Sequence, residues 1–160
     1  LNCLVESVQQ GAVMVSNGPL LDIFVTSGSQ NATMGEMISV NETTTITASV
    51  RAIDWVPVEE FRLVVNGRIE ERVQLLNWDR NENGVLAAEF TFHRHLERDS
   101  WILIEAGRDL GRPISPEATS SLRSEYGNYA KIAVGHVPIA FTNPIYVDAD
   151  NDQVWTPPGL

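Results

Sequence analysis

The stretch EEFRLVVNGRIEERVQLLN (residues 59–77) decides the fold. Two runs of alternating apolar and polar residues flank Asn66-Gly67, a pair that readily takes the positive φ angles of a type I′ hairpin turn. Successive side chains of a strand point to opposite faces. The pattern therefore sets Phe61, Leu63 and Val65 on one face of the first arm, and Ile69, Val73 and Leu75 on one face of the second.

The same two-residue period continues on both sides of the hairpin. In TTITASVRAIDW (44–55), Ile46, Ala48, Val50 and Ala52 alternate with Thr45, Thr47, Ser49 and Arg51, the mark of a half-buried strand. LAAEFTFHRH (86–95) turns Leu86, Ala88, Phe90 and Phe92 inward, while WILIEA (101–106) is a continuous apolar run expected to be a central strand buried on both faces. The chain turns between these two at Glu97-Arg98-Asp99. Upstream, AVMVS (12–16) and LLDIFV (20–25) read as short strands broken at Ser16-Asn17-Gly18-Pro19, because proline cannot donate to a sheet ladder. Such a series of short strands and hairpin turns predicts an all-β fold, an antiparallel immunoglobulin-like β-sandwich forming a single domain over residues 1–160. One segment breaks the rhythm. GRDLGRPISPEATSSLRSEYGNYA (107–130) is a long Gly-, Pro- and Ser-rich loop, with one short helix predicted from Ser115-Pro116-Glu117 to near Gly127.

Composition excludes several classes of function. Hydrophobic residues make up 43% and charged residues 20% of 160, the balance of a folded globular chain with a real core. No apolar run is long enough for a membrane span. Net charge is −10, and Lys131 is the single lysine among scattered arginines, so the clustered basic surface that nucleic acid requires is missing. Cys3 is the one cysteine, which excludes an internal disulfide. The chain opens on Leu1 and not on Met, so a processed product or an excised C-terminal fragment of a larger protein is expected.

Three groups of residues invite a chemical reading. Asp148, Asp150 and Asp152 occupy positions one, three and five of a calcium-loop pattern, but position six is Gln153 in place of glycine and position twelve is Gly159 in place of a bidentate glutamate. A related run, Asp79, Asn81, Asn83 and Gly84, keeps the glycine and ends on Phe90. Both also suit plain turns, in which Asp and Asn bond their own backbone. Calcium at Asp148, Asp150 and Asp152 is thus one reading and a solvated turn the other. His93 and His95 form an H-x-H pair, yet Phe90 and Phe92 set the inward face and send His93 outward, with His136 the remaining histidine for a transition-metal site. No G-x-S-x-G elbow and no phosphate-binding glycine loop is present. Asn31-Ala32-Thr33 and Asn41-Glu42-Thr43 are formal glycosylation sequences.

Four stretches in order, VSNGPLLDIFV (15–25), RAIDWVPVEEFRLVVNGRIEE (51–71), RDSWILIEAGRD (98–109) and PIAFTNPIYVDADND (138–152), resemble a known family. They are similar to the β-sandwich that follows the catalytic domain in metal-dependent hydrolases of the polymerase and histidinol phosphatase (PHP) type, CehA/McbA-like branch. The resemblance covers residues 11 to 158, and S-N-G-P, D-W-V-P with V-N-G, and T-N-P-I-Y-V-D are its most specific pieces. It implies a non-catalytic accessory domain that docks on the catalytic domain of the same parent chain. The catalytic divalent metals would then sit in that upstream domain, and no cofactor of catalysis in these residues. Ser16, Asn17 and Pro19 at one corner and Thr142, Asn143 and Pro144 at another, where polar residues interrupt apolar strands, are the expected docking positions together with the 107–129 loop. A contrasting reading is a stand-alone extracellular module binding calcium at the aspartates, or carbohydrate on Trp78 or Trp155. A third is a small hydrolase using His93, His95 and His136.

Overall fold

The computed structural model describes residues 2–40, 43–75, 79–80, 84–108, 110 and 126–158. The helix expected from Ser115, the Asn41 sequence, Trp78 and positions 81 and 83 of the Asp79 run lie outside them. Among the described residues the elements run α1 (Asn2–Gln9), β1 (Met14–Ser16), β2 (Leu20–Ser27), β3 (Gln30–Thr33), β4 (Met37–Ser39), β5 (Thr44–Ile53), β6 (Glu60–Val65) and β7 (Arg68–Gln74). They continue with β8 (Asp79–Arg80), β9 (Val85–Arg94), β10 (Ser100–Gly107), α2 (Tyr129–Ile132), β11 (Ile139–Thr142) and β12 (Ile145–Asp148). The protein is an all-β sandwich of two packed sheets with little helix.

Sheet I has the order β3-β2-β5-β9-β8 and is antiparallel throughout. Its centre is β5, whose alternation works as the residue pattern requires: Ile46, Ala48, Val50 and Ala52 are at most 5% exposed, while Thr45, Thr47, Ser49 and Arg51 face the other way. Leu21, Ile23 and Val25 of β2 join them in the core. Sheet II is built on β10, which pairs with β6 along one side, and β6 pairs with β7. Its other side is shared by two short strands, β11 against Glu105–Gly107 and β12 against Ser100–Ile102. Beyond them, β1 pairs with β11, and β4 pairs with β12 in the one parallel ladder described, a departure from the fully antiparallel expectation. The sheets meet through Phe61, whose ring lies 4.4 Å from Phe90 and 6.2 Å from Phe92. Stacked apolar side chains of this kind supply the main driving force for folding.

The hairpin forms where expected, with Asn66 at φ 50° and Gly67 at φ 77°. One expectation on its second arm fails. Val64 pairs with Ile69 but Leu63 pairs with Glu71, so Glu70 is an extra residue in β7. A bulge of one residue reverses the faces beyond it. Val73 therefore stands opposite the buried Phe61, whereas Ile69 stands opposite Val64 on the other face and is 44% exposed. The β10 expectation is refined as well: Ile102, Ile104 and Ala106 are fully buried, but Trp101, Leu103 and Glu105 on the second face are only partly covered.

Candidate functional site

The acidic run at the C-terminal end of β12 meets the start of β10. Ser100 pairs with Val147 in an antiparallel ladder, so Asp99 and Asp148 come next and face each other. One carboxylate oxygen each of Asp99, Asp148 and Asp150 lie within 4.8 Å of one another, the one such group found among the described residues. Asp148 is 0% exposed and Asp99 is 8% exposed, while Asp150 faces water. Asp152 is not a member. Its Oδ1 accepts the Val154 N–H at 2.7 Å, and Asp150 Oδ1 accepts the Asp152 N–H at 3.2 Å, so two successive aspartates fold the loop on themselves. Asn151 at φ 60° and Gln153 at φ 65° take left-handed backbone in this loop, the second at the position where a calcium loop carries glycine.

Asp99 holds this loop at both ends. Its Oδ1 accepts Ala149 N–H at 2.8 Å and its Oδ2 accepts Thr156 N–H at 2.6 Å. Asn151 Nδ2 donates to Val40 O, and Trp155 Nε1 donates to Ser100 O at 2.9 Å. The Trp155 ring also stands edge-on to Tyr146 at 4.9 Å, so it is packed against the sheet. Asp148 Oδ2 accepts the Ser39 hydroxyl at 2.6 Å and Gln153 N–H at 3.0 Å, whereas its Oδ1 is buried with no hydrogen-bond partner. Burial alone would raise the Asp148 pKa. Hydrogen bonds from Ser39, Gln153 and Asn151, with the neighbouring Asp150 carboxyl, outweigh it and hold the group below the ordinary aspartate value. Leaving a buried polar atom unpaired costs about 1–3 kcal/mol, and more where it is charged. No ion pair joins these aspartates to a described lysine or arginine. An open cleft of about 300 Å³ adjoins them, lined by Glu97, Arg98, Asp99, Asp150, Thr156 and the two following prolines.

The histidines do not converge with these groups. His93 is exposed on the outer face of sheet I, with Nδ1 3.1 Å from the Thr45 hydroxyl, and no histidine belongs to the acidic group.

The two expected docking corners lie at opposite ends of the β1–β11 ladder, whose pairs run from Met14–Thr142 to Ser16–Ala140. Asn17 ties three segments: Nδ2 donates to Val137 O at 2.8 Å, Oδ1 accepts Ile139 N–H at 2.7 Å, and its carbonyl accepts the Tyr129 hydroxyl at 3.2 Å. Tyr129 is buried, which raises its pKa. Ser16 Oγ bonds Pro19 O and accepts Gly18 N–H. Thr142 Oγ1 accepts Ile104 N–H, Asn143 Nδ2 donates to Gly11 O, and Pro144 O accepts Gly35 N–H. The polar groups at both corners thus find partners within the chain.

Apolar exposure lies between the corners instead. Val15 and Phe141 are cross-strand neighbours on the outer face, 56% and 38% exposed. Helix α1 turns Leu4, Val5 and Val8 to solvent as well, and Cys3 on it is exposed. Sequence periodicity missed this helix because its apolar residues do not pack against the core that the strand pattern defines. Asp99 was missed for another reason: nothing adjacent to it in sequence announces the pairing of β10 with β12. Among the described residues no helix is long and apolar enough to cross a membrane. Compared with protein-family profiles, curated proteins and solved structures, the chain finds no match in any of the three.

Proposed function

We propose that this chain is a non-catalytic accessory β-sandwich, immunoglobulin-like in type, that docks on and supports the catalytic domain of a PHP-type metal-dependent hydrolase in the same parent chain. The observation that carries the reading is the apolar surface of the first elements: Leu4, Val5, Val8 and Val15 are each at least 49% exposed, and Phe141 adjoins Val15. Water-facing apolar patches on a folded domain mark surfaces that a partner covers. These residues lie on α1, on the outermost strand β1 and on its neighbour β11, and the Val15–Phe141 pair is flanked by Ser16-Asn17-Gly18-Pro19 and Thr142-Asn143-Pro144. In this reading the corners shape the docking edge through their internal bonds, and Val15 and Phe141 make the contact. The parent would be an esterase or phosphoesterase whose divalent metals and water-activating residues belong to the upstream domain.

The gene sequence ahead of the codon for Leu1 is the first test. An open frame with an early H-x-H and later histidine and aspartate ligands supports the reading, and a start codon beside Leu1 overturns it. In the full-length protein, Val15→Asp with Phe141→Asp should split one thermal transition into two. Retention of a single transition would remove this face as the contact.

A further inference from the structure

We infer that Asp99, Asp148 and Asp150 form a structural calcium site that clasps the C-terminal loop to the start of β10. The inference is independent of the docking reading. Three carboxylates gather within 4.8 Å, and two of them are buried. Like charges this close repel unless a cation or a shared proton intervenes. Asp148 supplies the second observation: it is 0% exposed, its carboxylate belongs to this group, and Oδ1 has no hydrogen-bond partner, while Oδ2 accepts from Ser39 and Gln153. A buried carboxylate oxygen with no donor is matched in chemistry by a hard cation.

The donor set selects the ion. It is oxygen alone, without the imidazole or thiolate that zinc and the softer metals prefer. Oxygens roughly 2.3–2.6 Å from one calcium lie at most about 5 Å apart, so the group fits that shell with little movement. Magnesium requires a tighter octahedron at roughly 2.0–2.1 Å. The adjoining cleft, with Glu97 and Arg98 on its wall, leaves room for water to complete the coordination. Glu97 adds to the attraction and Arg98 opposes it, which points to modest affinity. Asp99 already holds Ala149 and Thr156, and Asp148 holds Ser39 and Gln153, so an ion among them would lock the loop from both sides.

Thermal unfolding of the 160-residue chain at pH 7, in EDTA, in 10 mM calcium and in 10 mM magnesium, tests the site. Calcium should raise Tm by roughly 5 °C or more through binding to the folded state, and magnesium by less. Asp148→Asn also weakens the acceptor that holds Ser39 and Gln153, so Asp150→Asn is the decisive variant: Asn keeps the loop's own turn but removes a charged ligand, and should abolish most of the calcium shift. Asp152→Asn should retain it. The inference is overturned if calcium leaves the unaltered chain unchanged, or if Asp150→Asn shows the full shift, which would mean diffuse binding to an acidic surface. A chain indifferent to calcium that melts higher at pH 5 than at pH 7 in EDTA would assign the cluster to a shared proton instead.

Discussion

The two sheets reach similar burial by different routes. In sheet I, β5 pairs continuously with β2 on one side and β9 on the other, over Leu20–Thr26 and Val85–Arg94. In sheet II, one side of β10 is served by β11 and β12 in succession, and the outer edge by β1 and β4. The gap in the second sheet falls at Asn143-Pro144, where proline has no N–H for the ladder. Long ladders are held by repetition of one bond type. A spliced sheet is held by individual side chains at the joints, here Asn17, Asn143, Asp99 and Asp148, together with close backbone contact at Gly35.

Substituting one glycine in each sheet's surroundings tests that contrast most severely. Gly35 sits at φ 84°, and an added Cβ would lie 2.1 Å from Gln10 O and 2.5 Å from Gly11 C, both backbone. Gly28, in the β2–β3 turn, is at φ 57° with nothing within 4 Å of the added atom. Gly35→Ala should cost more than about 3 kcal/mol, as backbone must move, and Gly28→Ala only about 1 kcal/mol of left-handed strain. Chemical denaturation of the two variants measures both; equal losses would break the comparison.

Asp148→Ala should come next, at about 2–3 kcal/mol, because the Ser39 hydroxyl and Gln153 N–H lose a charged acceptor. Its pH dependence sharpens the point. The folded pKa lies below the unfolded value of 3.8, so the ionised group stabilises the fold above that value. This contribution is lost as pH falls through 3.8 and on toward the lower folded value. Acid titration of stability should therefore be shallower in Asp148→Asn than in the unaltered chain. Least affected should be Arg51→Gln on sheet I, where the Asp22 partner and Arg51 are 43% and 52% exposed. The ion pair there is worth at most about 0.5 kcal/mol, screened by water and salt. A larger loss would show that sheet I also depends on single side chains.

What could be read from the residues follows the same division. The β5 strand and the Asn66-Gly67 hairpin were legible because alternation and turn chemistry are local, each encoded within about ten residues. The splice was only half legible. Ser16-Asn17-Gly18-Pro19 and Thr142-Asn143-Pro144 announced interruptions, but not that one chain edge would satisfy the other. AVMVS did announce β1, but strands of three or four residues such as β3 and β4 carry too few positions for a period to emerge. The bulge at Glu70 was hidden since Ile69 and Val73 keep a regular spacing in sequence while lying on opposite faces. The acidic group was recognised through Asp148 and Asp150, but Asp99 joins it across a separation of 50 residues, through a strand pairing that local pattern does not encode.

The bulge in β7 has a consequence for how this protein behaves beside copies of itself. Among the described residues β7 borders one side of sheet II, and the N–H and C=O groups of a bordering strand are where another chain can add to a sheet. Glu70 interrupts the regular spacing of those groups, and Arg68, Glu71 and Arg72 surround it with charges of both signs. An incoming strand would have to strip water from those charges and match a kinked backbone. The extra residue that spoils the hairpin's regularity thus makes this strand a poor template for edge-to-edge pairing.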